Sequence, residues 1–446
     1  MKLKGLLIAC LVLAALLGAL YWSNHHPADA GSSTKASTDV APRILSLATP
    51  DITGLTIQDK GQPAVTLTRD NSGQWQITAP QPLAADQDAV SSLLAALSPL
   101  NAERLLEDKV SNPASYGLSA PAVQIDVALK NNKAKKVLIG DQTPSGNAFY
   151  AMLEGDPRLF TVATYTKSSL DKSSEALRDK RLITADFDKV TQLELTTDRA
   201  GAKEDITLAR NKDSWQIVKP GSFRVATDQV DDLIRSLKDA KMETGSSSKD
   251  SANAAAFKSA TLVAQAKILG ASGTQELEIR KAKEQYYAKS STLPGVYDVS
   301  ATVATGLNKS LDDLRNKKLF DFGFEDPNKI EIHDGSKSYF FTRSGSDWYG
   351  SDGKKLDGVS FASLLGDIRD LAATRFPNSG FTTPAIEIVV TPKDGKNVER
   401  VSIAKSGEDY IAKRDHEPAL YELSSASLQE LQRSAGNIKS AAIASK

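Results

Sequence analysis

The chain has 446 residues, 40 % of them hydrophobic and 25 % charged, an ordinary globular composition at a length suited to about three domains. Acidic and basic residues number 55 each, which argues against a nucleic-acid binder, since that needs excess cation to displace counterions from phosphate. The single cysteine, Cys10, lies in an apolar N-terminal run, so the rest of the chain has no disulfide and no cysteine-ligated zinc. Each domain must therefore be held by its own core.

Residues 5–22 read GLLIACLVLAALLGALYW, without a charge. As a helix at 1.5 Å per residue this run measures about 27 Å, close to the ~30 Å hydrocarbon thickness. The expected membrane anchor is built on Gly5, Leu6, Leu7, Ile8, Leu11, Leu13, Leu16, Leu17 and Leu20, with Tyr21 and Trp22 as its interfacial aromatics. Lys2 and Lys4 precede it, and positive charge stays cytoplasmic. The N-terminus is thus expected inside, and the body in the periplasm or otherwise outside a cytoplasmic (inner) membrane. Two other readings stay open. Ala28-Asp29-Ala30 resembles a signal-peptide cleavage site, although the apolar run is longer than an ordinary signal core. Leu7-Ile8-Ala9-Cys10 resembles a lipobox, but most of the apolar stretch follows the cysteine.

Residues 23–43 are polar and read as a flexible linker, spanning about 25 Å on average. His25 and His26 fall here and read as solvated juxtamembrane residues in preference to metal ligands.

Beyond the linker the chain repeats itself. Three segments, expected at 44–186, 187–325 and 326–435, share one pattern, with Trp75, Trp215 and Trp348 at equivalent places. A short tail, 436–446, closes the chain. Each segment opens with alternating apolar and polar residues, a polar turn such as Lys60-Gly61 or Asp334-Gly335, a second alternating run, and a run bearing the tryptophan. Period two marks half-buried antiparallel strands. An amphipathic helix follows, with Val90, Leu93, Leu94 and Leu97 in the first segment and Val230, Leu233, Ile234 and Leu237 in the second. Asp86 and Thr227 are its expected N-caps.

A second meander follows in each segment. In the first, residues 122–130, 136–139, 149–153 and 159–162 read as strands. Tyr150-Ala151 aligns with Tyr287-Ala288 and with Tyr410-Ile411, and Phe160-x-Val162 with Tyr297-x-Val299 and Tyr421-x-Leu423. Leu177-Arg-Asp-Lys-Arg-Leu182 closes the first segment and Leu314-Arg-Asn-Lys-Lys-Leu319 the second, with Phe187 and Phe324 at equal offsets behind them. This closing element reads as a helix end feeding the next segment, where cations are favoured, in preference to a ligand patch. The third segment lacks it and ends in a loose tail. Residues 245–257 (GSSSKDSANAAAF) read as a mobile loop inserted in the second segment.

The fold class that results is α+β: an N-terminal transmembrane helix, then three tandem modules of antiparallel meanders, each covered by helices. The three tryptophans read as recurring core anchors, with a ligand-stacking platform as the alternative.

No catalytic, cofactor or metal site emerges. His333 and His416 are the only histidines of the body, one at a strand end and one in a charged turn, and no third ligand suggests itself. Gly358-Val-Ser360-Phe-Ala362 leads into a helix and is not a nucleophile elbow. No phosphate loop is present. Residues 346–353 lack the spaced ligands and closing glutamate of a calcium loop.

With its repeated Trp-Gln-Ile element, preceded by Gln74 in the first segment, and its Leu-Arg-x-Lys-x-Leu element, the chain resembles the bacterial family called domain of unknown function 4340, across residues 44–431. The resemblance implies one N-terminal membrane helix and an accessory role beside ABC transporter components of the gliding-motility type. It carries over no catalytic residue. A non-enzymatic binding or scaffold protein is the expectation. A carbohydrate- or cell-wall-binding protein and an envelope hydrolase are the alternatives.

Overall fold

The structure, a computed structural model, describes residues 42–441 apart from Asp213, residues 246–250, Ser272 and Phe324. The expected anchor at 5–22, nearly all of the linker, Cys10, His25, His26 and Phe324 lie outside the described residues. Among the described residues no helix is long and apolar enough to cross a membrane. The chain divides after Asp179 into two compact units.

The described residues form α+β structure with three antiparallel sheets of nine, eight and seven strands. The first lies in the first unit and the other two in the second. Each is two meanders joined through their first strands. Ile52–Asp59 pairs with Val123–Leu129, Val190–Arg199 with Thr261–Gly270, and Lys329–Asp334 with Ile386–Thr391, all antiparallel. The rest of each meander runs outward from this central pair, and in the first sheet Arg104–Glu107 adds the ninth strand at the far edge, beside Leu159–Ala163. The opening alternation has its cause here: Leu193, Leu195 and Thr197 point to the covered face, as do Ile330 and Ile332.

The cover is a pair of helices, one after each meander. Gln87–Leu97 buries Val90, Leu93, Leu94 and Leu97 and meets Thr164–Leu170. Thr227–Lys238 meets Ala301–Leu307, and Gly358–Asp370 meets Ser425–Gly436. Sheet and helix side chains join in one apolar core per sheet, with Leu177 in the first core, Leu182 and Leu314 in the second and Leu319 in the third. Full burial of each such side chain contributes roughly 1.5–3 kcal/mol.

Several expectations need correction. Asp86 caps its helix, accepting from the Asp88 and Ala89 amides, but Thr227 is already helical and the cap residue is Ala226, which has no side-chain acceptor. The expected loop at 245–257 contains a helix, Ser251–Ser259, which buries Phe257 and joins Asn253 to Asp298 at 2.9 Å. In the third sheet Ala412 pairs with Tyr421, as Ala151 pairs with Phe160 and Ala288 with Tyr297. The equivalent of Tyr150-Ala151 is therefore Ile411-Ala412, one residue on from Tyr410-Ile411. A one-residue slip reverses every side chain, and the packed small residue sets the true register.

The closing element is also different. Its helix, Leu311–Leu314, stops at its first leucine, and the chain from Arg315 is extended. Arg315 bridges Val225, which packs against the second sheet's core, and Lys318 bridges Ala372, between the third core's Leu371 and Ala373. In the first unit Arg178 bridges Ala85, and in the second unit Arg181 bridges Lys241. Nor is the C-terminal segment wholly loose. The Asp357 amide donates to the Lys439 carbonyl at 2.8 Å, Ser440 bridges Leu356, and the Ala441 amide donates to the Lys355 carbonyl at 2.8 Å. This is the lane of the closing element, and backbone pairing keeps it although its sequence is lost.

Candidate functional site

A dense network of charged and aromatic side chains in the second unit lies where its two sheets meet. The short edge strand Phe223–Arg224 of the second sheet presents both side chains to the third. Arg224 Nη1 lies 2.5 Å from Asp321 Oδ2, and Nη2 donates to the Lys318 carbonyl at 2.6 Å and the Tyr421 hydroxyl at 3.2 Å. Its Nε is 2.8 Å from Glu417 Oε1, an ion-pair contact without hydrogen-bond alignment. Tyr421 donates to Glu417 Oε2 at 2.6 Å, and Arg414 Nε to Glu417 Oε1 at 2.8 Å. Arg414 Nη1 donates to the Leu319 carbonyl, and both Glu399 oxygens accept from the Asp321 amide, at 3.0 and 2.9 Å.

Beside this network Arg315 lies between two rings. Its Cζ is 4.1 Å from the centroid of Phe223 and 3.7 Å from that of Phe376, which packs on Tyr421 at 5.4 Å. The guanidinium is thus held by two π-faces and by Asp312 at 3.6 Å.

The protonation states follow from burial. Tyr421 is pushed up to about 12, chiefly because burial disfavours the phenolate and also because the neutral hydroxyl donates a hydrogen bond to Glu417, against the pull of Arg224. Burial likewise lifts Glu399 above the usual carboxylate range, against the Asp321 amide and Arg414, which act to lower it. Burial depresses Arg315. It opposes the charge on Arg224 as well, but the nearby Tyr421, Asp321 and Glu417 outweigh it, and the net shift is upward. A cleft of about 740 Å³ adjoins the network, lined by Asp321, Phe322, Glu325, Lys393, Lys396 and Glu399 among others. The group can hold two sheets in register and present a mixed-charge cleft.

The expected tryptophan positions are equivalent in register. Trp75 pairs with Arg69, Trp215 with Arg210 and Trp348 with Arg343. Their settings differ. Trp75 is 5 % and Trp348 7 % exposed, the latter against Phe361 at 4.3 Å, whereas Trp215 is only partly buried. His333 accepts or donates one hydrogen bond with Ser338 at 3.0 Å, and His416 sits exposed in a turn at φ 62°. Ser360 serves the cap of its helix, its amide donating to Asp357 at 2.9 Å. Asp352 accepts from the Lys354 amide at 3.0 Å in a turn. Among the described residues no group of three His, Cys, Asp or Glu is placed to hold a metal.

Two recurrences escape the sequence reading. One is the arginine opposite each tryptophan, five or six residues before it. Arg210 reaches the Phe187 and Asp188 carbonyls, and Arg343 that of Asp326. The other is the entering strand. Pro42-Arg-Ile-Leu45 pairs with Asn101 and Ala102 as Lys317-Lys-Leu-Phe320 pairs with Ala372 and Ala373. A basic residue followed by two apolar ones was its signal.

The family model described as Domain of unknown function (DUF4340) matches residues 75–214 and again 215–386. The chain belongs to this family. The two DUF4340 matches begin at Trp75 and Trp215, at equivalent strands of the first and second sheets. The DUF4340 description names no activity. Comparison with curated proteins and with solved structures finds no match in either.

Proposed function

We propose that this protein is a non-enzymatic, membrane-anchored envelope protein that serves as a binding or scaffold accessory to a membrane complex of the ABC-transporter type. The observation that carries the reading is the shared closing element. Leu314 sits in one core and Leu319 in the next, and between them lie Arg315, clamped by rings, and Lys318, bridged to Ala372. Repeats joined in this way offer broad surface for partner contact. The charge-free run 5–22 behind Lys2 and Lys4 supports the anchor and its inside orientation. The transporter partner rests on what the family resemblance implies.

Crosslinking the full chain in intact cells, followed by purification from solubilised membrane, tests this. Transporter subunits should be recovered with it. Recovery of the chain from the cytosolic fraction, or with no membrane partner, would overturn the proposal.

A carbohydrate- or cell-wall-binding role is the second reading, favoured by the partly open indole of Trp215. A platform of three repeated indoles does not suit Trp75 and Trp348, whose faces are packed.

A further inference from the structure

In the first sheet the Gln87 side chain acts as an internal ligand for the tryptophan strand. Its Oε1 accepts from the Trp75 amide at 2.9 Å, and its Nε2 donates to the Trp75 carbonyl at 3.0 Å and the Ala85 carbonyl at 2.9 Å. A primary carboxamide is the group that can do this, because it offers one acceptor and two N–H donors from a single plane.

The pairing register makes Trp215 the equivalent of Trp75, Val225 of Ala85 and Thr227 of Gln87. Thr227 carries no carboxamide. Trp215, Val225 and Thr227 instead line a cleft of about 300 Å³, together with Phe187, Arg210 and Lys238. The Trp215 indole is only partly buried, and the Arg210 guanidinium lies 5.9 Å from its ring. A missing side chain and a partly open aromatic wall thus coincide.

We infer that this cleft takes a primary carboxamide, the side chain of a glutamine on a partner protein, in the place that Gln87 fills from within in the first sheet. The inference rests on the partner-binding reading and adds the point of contact. The three hydrogen bonds seen at Trp75 are the template, and the aliphatic stem would lie along the indole. An N-acetyl sugar is a poorer fit, since its secondary amide has one N–H where the template uses two.

The test uses the full chain labelled with fluorotryptophan, the Trp215 signal being assigned by its loss in Trp215→Phe. A blocked Gly-Gln-Gly peptide should shift that signal saturably. The Glu and Leu counterparts and an N-acetylglucosamine oligomer should do so at least tenfold more weakly. Thr227→Gln should fill the cleft from within and weaken peptide binding at least tenfold, while Thr227→Ser should retain it. No saturable shift, an equal response to the Leu peptide, or a preference for the sugar would overturn the inference. Crosslinking in cells separates the two readings. Equal partner recovery with wild type and Thr227→Gln would sink this contact and leave the scaffold role standing, whereas no partner with wild type would sink the scaffold role itself.

Discussion

Replacing Arg315 by alanine probes the joint of the second and third sheets most directly. The side chain is 8 % exposed and lies 4.1 and 3.7 Å from two ring centroids. A desolvated cation–π contact contributes up to about 2 kcal/mol, so the two rings offer roughly 2–4 kcal/mol in gross terms. Burial opposes the charge and takes back part of this. Removing the stem also leaves a void between Phe223 and Phe376. The expected loss is about 2–3 kcal/mol for Arg315→Ala, and about 1–2 kcal/mol for Arg315→Met, which refills the space without the cation. Urea unfolding of the full chain reads this out. Two backgrounds retain only Trp215 or only Trp348, the other tryptophans being replaced by phenylalanine, so that each sheet is followed separately. With an m-value of about 2–3 kcal/mol/M, the alanine variant should shift the midpoint by about 1 M, and the two probes should part. A shift below ~0.2 M in both backgrounds would show that the ring clamp does not couple the sheets.

Three further outcomes are expected. Gln87→Glu places a carboxylate oxygen against the Trp75 and Ala85 carbonyls, so the variant should be destabilised by about 1–3 kcal/mol at neutral pH. That loss should lessen as pH falls and the carboxyl protonates, which thermal melts across a pH series would show. Tyr421 should ionise near 12 in the folded chain. Because its folded value lies above the usual 10, its contribution to stability is complete below pH 10 and is lost as pH rises toward 12. Tyrosinate absorbance should therefore lose its highest-pH component in Tyr421→Phe. Ending the chain after Gly436 removes the backbone bonds at Asp357 and Lys355 and should lower stability by about 1–2 kcal/mol in the Trp348 urea transition, with the Trp215 transition nearly unchanged.

Much of this architecture is legible in the residues. Period-two alternation at Leu193 and Leu195, and helical spacing at Val90, Leu93, Leu94 and Leu97, are local patterns that one covered face imposes directly. The tryptophan repeat is legible because an indole is large and rare. The register of the third sheet was misread because Tyr410 looks like Tyr150, while the position that matters is the small residue packed against Tyr421. The helix Ser251–Ser259 escaped because its alanine-rich face signals little until Phe257 is buried under Arg280.

The closing element marked where the joint lies, but the charge network at the joint was not legible. Arg224, Asp321, Glu399, Arg414 and Glu417 are spread over nearly two hundred positions and carry no spacing signal. Each by itself reads as a solvated charge, and only the crossing of two sheets brings them together. The same holds for Thr227, an unremarkable helix residue until pairing register makes it the second sheet's equivalent of Gln87.

What the sequence determined alone is the period: alternating strands, amphipathic helices and a recurring closing element, each marked by a local pattern of apolar, aromatic and basic residues. What the tertiary structure decided is the chemistry between repeats, where charges are buried and where a cleft stays open. Those outcomes depend on side chains far apart in the chain sharing one desolvated space, and no local pattern encodes that.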